Sequence, residues 1–546
     1  MLIAEMIEET KQLLEMAEER LQQLRSKATE LLLREEWKEA IGAYSQFITL
    51  SKDQIFQTNQ QQLSDPDQLQ KLRKSLCLAL SNRAEARSRL REFHGALEDC
   101  DQALEIDGTH FKTLLCKGKI LLSLNRYSMA LDFFRAALLH PQASGSSESL
   151  NGYVEKSKKM DLLARTGALD LSDWVANGFR GKSPELAEYV GVVEIKKSEI
   201  SGRGLFAAKN IDAGSLVLVT KAIALERSIL AGKDLCEDAQ LVMWKNFIDK
   251  VADVVRKCLR TRNLISKLSS GEDEHELEVV DISLFRPETE FQVHSSDKME
   301  MDQMLAILDV NSLTEDSVSS NVLGRNKDYY AVGLWLLPAL INHSCCPNAR
   351  RLHVGDYLIV HASKDIKAGE EITFAYFDPL LPLYKRKETS MTLGIHCRCK
   401  RCKFEAEISS KQEVKEIEIG LERGMDVGGA VYKLEEEMKR WKVRGKERGY
   451  LRASLWCAYS ETYRSDRSMK RWGRRIPAPD EVVDSIINVV GGDERLLKIL
   501  MEQLKKNGAG LMEMEKAMKL AREVYGKVVK KQAMRTLLEL CIGANE

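Results

Sequence analysis

The sequence predicts a multidomain α+β protein. It has α-helical repeats at the N-terminus, a β-rich centre interrupted by a helical insertion, and a helical domain at the C-terminus. At 546 residues the chain is too long for a single hydrophobic core. Apolar residues follow helical spacing before about residue 190 and after about residue 409, and short apolar runs broken by glycine lie between these limits.

The N-terminal part contains an internal repeat. Three segments align without gaps: LRSKATELLLREEWKEAIGAY, ALSNRAEARSRLREFHGALEDC and LCKGKILLSLNRYSMALDFF. From the second to the third every aligned position is offset by 34 residues, and from the first to the second by 56, which leaves an insertion of 22 around Gln57 to Gln70. The aligned positions are Ala28, Ala84 and Gly118; Trp37, Phe93 and Tyr127; Ala40, Ala96 and Ala130; and Tyr44, Cys100 and Phe134. This period predicts tetratricopeptide repeats rather than a generic helical bundle.

Repeats of this kind form a concave surface that binds peptides. Some of these modules bind the acidic tail of heat-shock chaperones through basic and amide side chains, and Arg25, Asn82 and Lys112 have suitable chemistry here. Thr29 and Cys116 stand at the two other positions and do not. A clamp without two of its donors predicts weak chaperone binding. An internal scaffolding role is the alternative.

Bulk composition excludes several classes of protein. Lys plus Arg equals Asp plus Glu, at 82 each, so no net charge favours nucleic acid or an anionic membrane as a partner. No apolar run approaches 18 residues, and the first ten residues, MLIAEMIEET, do not resemble a secretory signal. We therefore expect a cytoplasmic or nuclear protein whose 12 cysteines stay reduced.

Changes in pattern along the chain predict the domain boundaries. A stretch rich in Ser and Gly after His140, PQASGSSES, predicts a linker, and a later change from helical spacing to short apolar runs predicts β-strands. The predicted regions are the repeats (1–145), the linker (146–185), a first β part (186–226), a helical insertion with the acidic loop GEDEHE (227–328), a second β part (329–378), a cysteine-rich segment (379–408) and a C-terminal helical domain (409–546).

Three separated motifs carry the candidate chemistry. They are SGRGLFAAKNIDAGSLVL at 201–218, LINHSCCPNA at 340–349 and GEEITFAY at 369–376, with CRCKRC following at 397–402. Their order resembles the SET domain of protein lysine methyltransferases, most closely the SET and MYND family, in which an insertion also splits the SET core. The resemblance implies methyl transfer from S-adenosylmethionine to a lysine of a protein substrate, histone or non-histone. The alternative is a SET-fold scaffold that binds partners through its repeats.

The resemblance also implies roles for single residues. Glycines such as Gly202 and Gly204 allow tight turns and close approach of the backbone to a ligand. By resemblance, Tyr376 is the catalytic tyrosine, which orients the amine of the target lysine. The implied S-adenosylmethionine contacts are Ser201, Gly202, Arg203, Gly204, Asn342, His343 and Tyr376.

The cysteine spacing predicts a metal site. Cys397, Cys399 and Cys402 form CxCxxC, which supplies three thiolates where a closed structural zinc site needs four ligands. In the similar family the fourth ligand is the cysteine after NHS, which is Cys345 here. His396 and Cys346 remain alternative ligands, and free thiols remain an alternative to a metal site.

Three features differ from the family pattern. The insertion contains only two cysteines, Cys236 and Cys258, so it cannot form the zinc-binding MYND module. Leu393 stands where many relatives have a second channel tyrosine, and Ile395 stands where an aromatic residue often packs on the adenine. Both replacements predict weaker cofactor binding or a looser channel.

Overall fold

A computed structural model describes residues 2–60, 66–145, 147–177, 184–229, 237–271, 277–289, 298–315, 329–507 and 511–543. The chain divides into two compact units. The first comprises Met1–Leu162 with the short pieces Asp253–Arg262 and Glu290–Val293, and the second comprises Leu163–Ala252, Asn263–Thr289 and His294–Glu546.

The first unit consists of helices that pack in successive pairs. The helices are α1 (Leu2–Leu33), α2 (Trp37–Gln60), α3 (Pro66–Arg89), α4 (Phe93–Ile106), α5 (Phe111–Ser123) and α6 (Tyr127–Leu138), and α7 (Ser147–Thr166) begins in this unit. Contacts join α1 to α2, α3 to α4 and α5 to α6. The small residues of the repeat lie where helices meet, since Ala28 and Ala84 have no exposed surface. Tyr44, Cys100 and Phe134 are buried in the same register, so the tetratricopeptide prediction is confirmed.

The repeat is also present in the backbone. Glu35, Arg91 and Asn125 adopt positive φ angles of 61°, 61° and 59°, each two residues before the repeat's aromatic position. These are the left-handed residues that end the first helix of each pair. Their offsets in sequence equal those of the side-chain pattern, so each pair turns with the same geometry.

The 22-residue insertion lengthens two helices, α2 and α3. Helices α2 and α3 have 24 residues each, whereas α4 has 14 and α5 has 13. The inserted polar sequence therefore makes α2 and α3 longer than α4 and α5. Residues 61–65, between α2 and α3, are outside the described part.

The β-rich centre of the second unit forms three small sheets. Its strands are β1 (Tyr189–Val190), β2 (Val193–Lys197), β3 (Arg203–Ala207), β4 (Leu216–Lys221), β5 (Ala224–Ile229), β6 (Leu313–Thr314), β7 (Tyr329–Leu334), β8 (Asn342–His343), β9 (Ala349–Val354), β10 (Tyr357–Ala362) and β11 (Glu371–Phe374). The sheet orders are β1-β4-β10-β9, β2-β3-β11-β8 and β5-β7-β6. Pairing is antiparallel except between β11 and β8, which run parallel.

The expected linker and the insertion both contain helices. The serine-rich stretch of the expected linker forms a 3₁₀ turn, Pro141–Gly145, and then begins α7, because serine favours helix N-termini as well as loops. The short α8 (Ser172–Ala176) follows. The insertion contains α9 (Glu237–Lys257), α10 (Leu259–Ile265) and α11 (Met301–Asn311), and it adds strand β6 to the sheet of β5 and β7. Cys236 and residues 272–276 of the acidic loop lie outside the described residues.

Helices fill the remainder of the second unit. They are α12 (Leu383–Thr392), α13 (Lys400–Ile408), α14 (Gln412–Glu422), α15 (Val427–Arg440), α16 (Lys446–Ser454), α17 (Trp456–Arg464), α18 (Asp466–Trp472), α19 (Pro479–Val490), α20 (Glu494–Asn507), α21 (Leu511–Tyr525) and α22 (Lys531–Gly543). Their apolar faces share one hydrophobic core with the first sheet, in which Val219 and Ile359 pack with Val431 and Tyr459. No helix among the described residues is both long and apolar enough to cross a bilayer.

The repeat packing predicts opposite effects for two glycine substitutions. A Cβ on Gly118 would lie 2.7 Å from the Phe134 ring, whereas nothing lies within 4 Å of a Cβ on Gly42 in helix α2. We expect Gly118→Ala to destabilise the first unit by about 1–3 kcal/mol. Gly42→Ala should stabilise it by up to about 1 kcal/mol, since alanine favours helix. Hydrogen exchange of peptides from the two helix pairs measures both, and equal protection in the two variants would contradict the packing.

Candidate active site

Strand β11 joins the three candidate motifs. Its first residues pair with β3, in the SGRG motif, and its last residues pair with β8, in the NHSCCPN motif. Asn348 extends this junction, because its side-chain amide donates to the carbonyl of Glu371 at 2.8 Å and its side-chain oxygen accepts from the Thr373 N–H at 2.8 Å. Stretches of chain more than 100 residues apart therefore meet at one strand.

A hydrogen-bond network around Asn342 fixes this junction. Its side-chain amide donates to the carbonyls of Ser201 and Arg203, both at 3.1 Å, and to Oε1 of Glu371 at 2.8 Å. The Ser198 hydroxyl donates to both oxygens of the same carboxylate at 2.8 and 2.9 Å. Asn342 thus connects the turn that contains Ser201 and Arg203 to strand β11.

The two glycines of the turn are required for different reasons. Gly202 has a φ of +45°, which few side chains tolerate. A Cβ on Gly204 would lie 2.3 Å from the Glu371 carboxylate, so packing inside the protein requires this glycine. Between them, the buried guanidinium of Arg203 donates to the carbonyls of Glu278 and Lys267 in the insertion. The Arg203 side chain therefore ties the turn to the insertion.

His343 holds the segment that follows β11 in place. Its Nδ1 accepts from the backbone N–H of Tyr376 at 3.0 Å, and its Nε2 lies 3.4 Å from the Cys345 sulfur. The ring is buried and packs against Phe377 with centroids 4.3 Å apart. Both ring nitrogens therefore face protein atoms, which leaves the backbone of His343 as the group that can meet a ligand.

Tyr376 lies at the wall of a cavity of about 320 Å³. Its hydroxyl donates to the Ile341 carbonyl at 2.8 Å, directly before the Asn342–His343 pair. The cavity is lined by Thr314, Glu315, Pro347, Ala349, Arg350, Arg351, Phe374, Ala375, Tyr376, Phe377, Asp378, Pro379, Val490, Asp493, Glu494 and Arg495. The C-terminal helices thus supply one wall, and an Arg495–Asp378 ion pair with two contacts of 2.7 Å joins that wall to the segment after β11 that carries Tyr376.

Comparison with known proteins accounts for this arrangement. A family model described as SET domain matches residues 202–377. The chain contains a SET domain. The match begins in the cofactor turn and ends one residue after Tyr376, so it includes all three motifs that meet at β11.

The relatives differ in how much of the chain they match. A protein from Gibberella zeae named Methyltransferase is 26% identical over 65% of this chain and 50% of its own length. The human Histone-lysine N-methyltransferase SMYD3 is 31% identical over 21% of this chain and 27% of its own. The chain thus spans half or less of these relatives' lengths. A solved structure titled TPR2B-domain:pHsp70-complex of yeast Sti1 covers 26% of this chain and 97% of its own at 20% identity, with a TM-score of 0.21.

Four cysteines, one within the SET domain and three after it, form a compact cluster. The sulfurs of Cys345, Cys397, Cys399 and Cys402 all lie within 4.8 Å of one another, and those of Cys402 and Cys345 are 3.6 Å apart. Tetrahedral zinc with Zn–S bonds of about 2.3 Å requires sulfurs about 3.8 Å apart, so the cluster fits such an ion. The structure brings together the four residues that spacing and resemblance named.

Shared protons perturb the thiols of the cluster. Hydrogen bonding from Cys345 lowers the pKa of Cys397 to about 4 and is the first cause of the lowered pKa of Cys399. Hydrogen bonds to the other cysteines, together with burial, raise the pKa of Cys345. Metal binding requires thiolates, so occupancy of all four ligands would release the protons that remain.

The two alternative zinc ligands and the two positions that differ from the family pattern lie outside the four-cysteine cluster. His396 is exposed, and Cys346, half-buried, is outside the group of four. Leu393 is 53% exposed and Ile395 is half-buried in the turn that leads to Cys397. Neither apolar side chain lines the cavity beside Tyr376.

The five clamp positions of the repeats have unequal surroundings. Arg25 and Lys112 are exposed cations. The Thr29 hydroxyl donates to the Arg25 carbonyl at 2.8 Å, and the buried Asn82 amide donates to the Tyr44 hydroxyl at 3.0 Å. Cys116 is half-buried. The Arg25 guanidinium also donates to the Ser75 hydroxyl at 3.4 Å, so three of these polar groups already make hydrogen bonds within the repeats.

Sequence reasoning did not single out several residues that build the site. Glu371 lies in the quoted GEEITFAY motif, but its role depends on meeting Asn342, which spacing does not reveal. Asp378 and Arg495 are 117 residues apart. The sequence did contain one indication for Glu371. It is a charged residue at the start of an apolar strand, and such a residue usually has a hydrogen-bond partner.

The hydrogen-bond network around Asn342 predicts that a charge introduced there lowers stability and that a second substitution restores it. Asn342→Asp replaces a donor by a carboxylate that faces Glu371, so we expect the free energy of unfolding to fall by about 1–3 kcal/mol. Adding Glu371→Gln restores a donor opposite the new acid and should recover most of the loss. Urea unfolding of the two variants measures this. An additive rather than compensating double variant would contradict the contact.

Proposed function

We propose that the protein is a protein lysine N-methyltransferase that uses S-adenosylmethionine. One observation carries the proposal: Tyr376 borders a cavity and lies two residues after strand β11, which pairs with the strands of the SGRG and NHSCCPN motifs. The relatives named as methyltransferases support the same reaction class. S-adenosylmethionine, when bound, supplies a methyl group on a sulfonium to an incoming nucleophile.

The residues around the junction fit such a donor. The strand Asn342–His343 lies beside Tyr376, whose N–H donates to Nδ1 of His343 at 3.0 Å, and the Asn342 amide links this strand to the turn from Ser201 to Gly204. The Asn342 amide orients the carbonyls of the turn at 3.1 Å, and Gly204 admits Glu371 behind it. These groups would hold the donor, and the alignment of donor and nucleophile is the main requirement of a displacement at a methyl group.

The Tyr376 hydroxyl would orient the target amine. Its single proton points to the Ile341 carbonyl at 2.8 Å, and its oxygen carries two lone pairs that accept N–H groups. An amine that donates to this oxygen directs its own lone pair elsewhere, toward the methyl group. Tyr376 therefore positions the nucleophile and need not remove a proton.

The target lysine would enter the cavity and must lose its proton to react. Burial beside Phe374 and Phe377 disfavours the ammonium form and lowers the lysine pKa. The carboxylates near the opening, Asp378 and Asp493, pair with Arg495 at 2.7 and 3.0 Å. This pairing limits their opposing effect on the pKa of the amine.

We also propose that the cysteine cluster holds one structural zinc ion. Cys345 belongs to the NHSCCPN segment and the other three cysteines follow α12, so the ion would link the SET domain to the segment behind it. Four protein sulfurs leave no position for substrate, which supports a structural rather than a catalytic ion.

The repeats would bind a protein or peptide, as the substrate or as its carrier. The structure titled TPR2B-domain:pHsp70-complex of yeast Sti1 pairs similar helices with a chaperone peptide. Here, Arg25 and Lys112 would provide the charge for an acidic tail. With Thr29 and Asn82 already bonded within the repeats, we propose that chaperone binding is weak.

Removal of the Tyr376 hydroxyl tests the mechanism. In Tyr376→Phe, methyl transfer from labelled S-adenosylmethionine to proteins of a cell extract should fall roughly a hundredfold, because the amine loses its orienting contact. Donor affinity measured by calorimetry should change little. The matched control is Tyr384→Phe, an exposed tyrosine that bonds Glu422 at 3.2 Å and should keep full activity. Absence of transfer by the wild type, or equal transfer by Tyr376→Phe, would refute the proposal.

Metal content tests the zinc site. The purified wild type should carry about one zinc per chain, and Cys399→Ser should lose most of it because a neutral hydroxyl replaces a thiolate ligand. Cys457→Ser, which alters an exposed cysteine away from the cluster, should retain the metal. Atomic emission of the dialysed proteins measures this, and a zinc-free wild type would exclude the site.

A further inference from the structure

A group of buried charges lies directly behind the cysteine cluster. Arg386, Arg401 and Glu405 have side chains at most 3% exposed. Arg386 donates to one oxygen of Glu405, and Arg401 donates to the other at 2.8 Å. We refer to these three residues as the charge triad. Two guanidinium groups share one carboxylate, so the triad carries one net positive charge.

The excess charge faces the sulfurs. Nη1 of Arg386 donates to the Cys402 sulfur at 3.3 Å, and Nη1 of Arg401 lies 3.4 Å from the Cys345 carbonyl. A buried cation without full compensation is costly. The groups beside it are therefore expected to be negative.

A zinc ion with four thiolates provides this negative charge. Such a centre carries two net negative charges, and one N–H donor from a neighbouring cation lowers the free energy of the thiolate form. The triad therefore complements the metal-bound cluster better than a cluster of neutral thiols.

The triad also contacts the C-terminal helices. The Ser454 hydroxyl, at the end of α16, donates to Glu405 at 2.7 Å and accepts from Arg401 at 2.8 Å. The neighbouring Leu451, Ala453 and Leu455 belong to the core shared by the helices and the first sheet. A change of charge at the cysteines can therefore affect the packing of this core through the charge triad and Ser454.

We infer that Arg386 is a positioning residue of the metal site and that the charge triad, through Ser454, couples metal occupancy to the packing of helix α16. The inference rests on the proposed zinc site. It assigns to α12 and α16 a role in metal retention that the four ligands alone do not describe.

Zinc affinity of the full-length protein tests the first part. In competition with a chromophoric chelator, Arg386→Met should bind zinc about 10- to 100-fold more weakly, the usual effect of losing an outer hydrogen bond to a ligand. Arg386→Lys keeps the charge and should lie between Arg386→Met and the wild type. Lys387→Met, which alters an exposed cation in the same helix, should match the wild type.

Thermal unfolding with and without zinc separates charge compensation from ordinary packing. Arg386→Met should lower the Tm of the zinc-bound protein and leave the metal-free protein unchanged or slightly more stable. An equal fall in both forms overturns the inference, because packing alone would cause it. Unchanged zinc affinity in Arg386→Met also overturns it while leaving the zinc site intact. A wild type that binds no zinc overturns both the inference and the proposed site.

Hydrogen exchange tests the coupling to α16. Zinc removal from the wild type should accelerate exchange in residues 446–454, and Ser454→Ala should make exchange there nearly independent of zinc. Identical zinc dependence in the wild type and Ser454→Ala would overturn the coupling.

Discussion

The carboxylate of Glu371 is the contact on which the candidate active site depends. It accepts from the Asn342 amide and from the Ser198 hydroxyl, and the missing Cβ of Gly204 leaves room for it. Both donors are neutral, so geometry rather than ion pairing satisfies the charge. Hydrogen bonds to a charged group contribute more than neutral ones, and an unsatisfied carboxylate in this place would be costly. The glycine, the amide and the acid therefore form one unit that no single substitution preserves.

The C-terminal helices are part of the site as well as of the fold. They share a hydrophobic core with the first sheet, and residues from Val490 to Arg495 complete the cavity beside Tyr376. Arg350 donates to the Gly492 carbonyl and lies 3.8 Å from Asp493, which joins strand β9 to the same loop. The SET domain alone would leave this cavity open on one side. Activity and stability of the second unit should therefore be difficult to separate.

Local spacing revealed the parts of this protein that are built from local contacts. The repeat positions, such as Ala28 and Ala84, were predictable because helical pairs recur at a fixed period, and CxCxxC indicated three ligands for the same reason. The convergence of the motifs and the addition of Cys345 came only from resemblance, since contacts between segments far apart in the sequence have no period. The charge triad and the Asp378–Arg495 pair were not predictable, because tertiary packing selected the partners. The start of helix α7 within the predicted linker was not predictable, because serine is common both in loops and at helix N-termini.

The long pair of α2 and α3 illustrates how a repeat array accommodates extra length. At 1.5 Å per residue, α2 extends about 15 Å farther than α4, yet the left-handed turn residues and buried alanines keep the same spacing in all three pairs. The added turns lie at the ends remote from those contacts, where they do not disturb the register of the stack. Phe56, exposed on this extension, shows that the added surface is not covered by the next pair. A helical array can therefore lengthen one step of its surface while the helix-ending turns and the buried small residues keep their spacing.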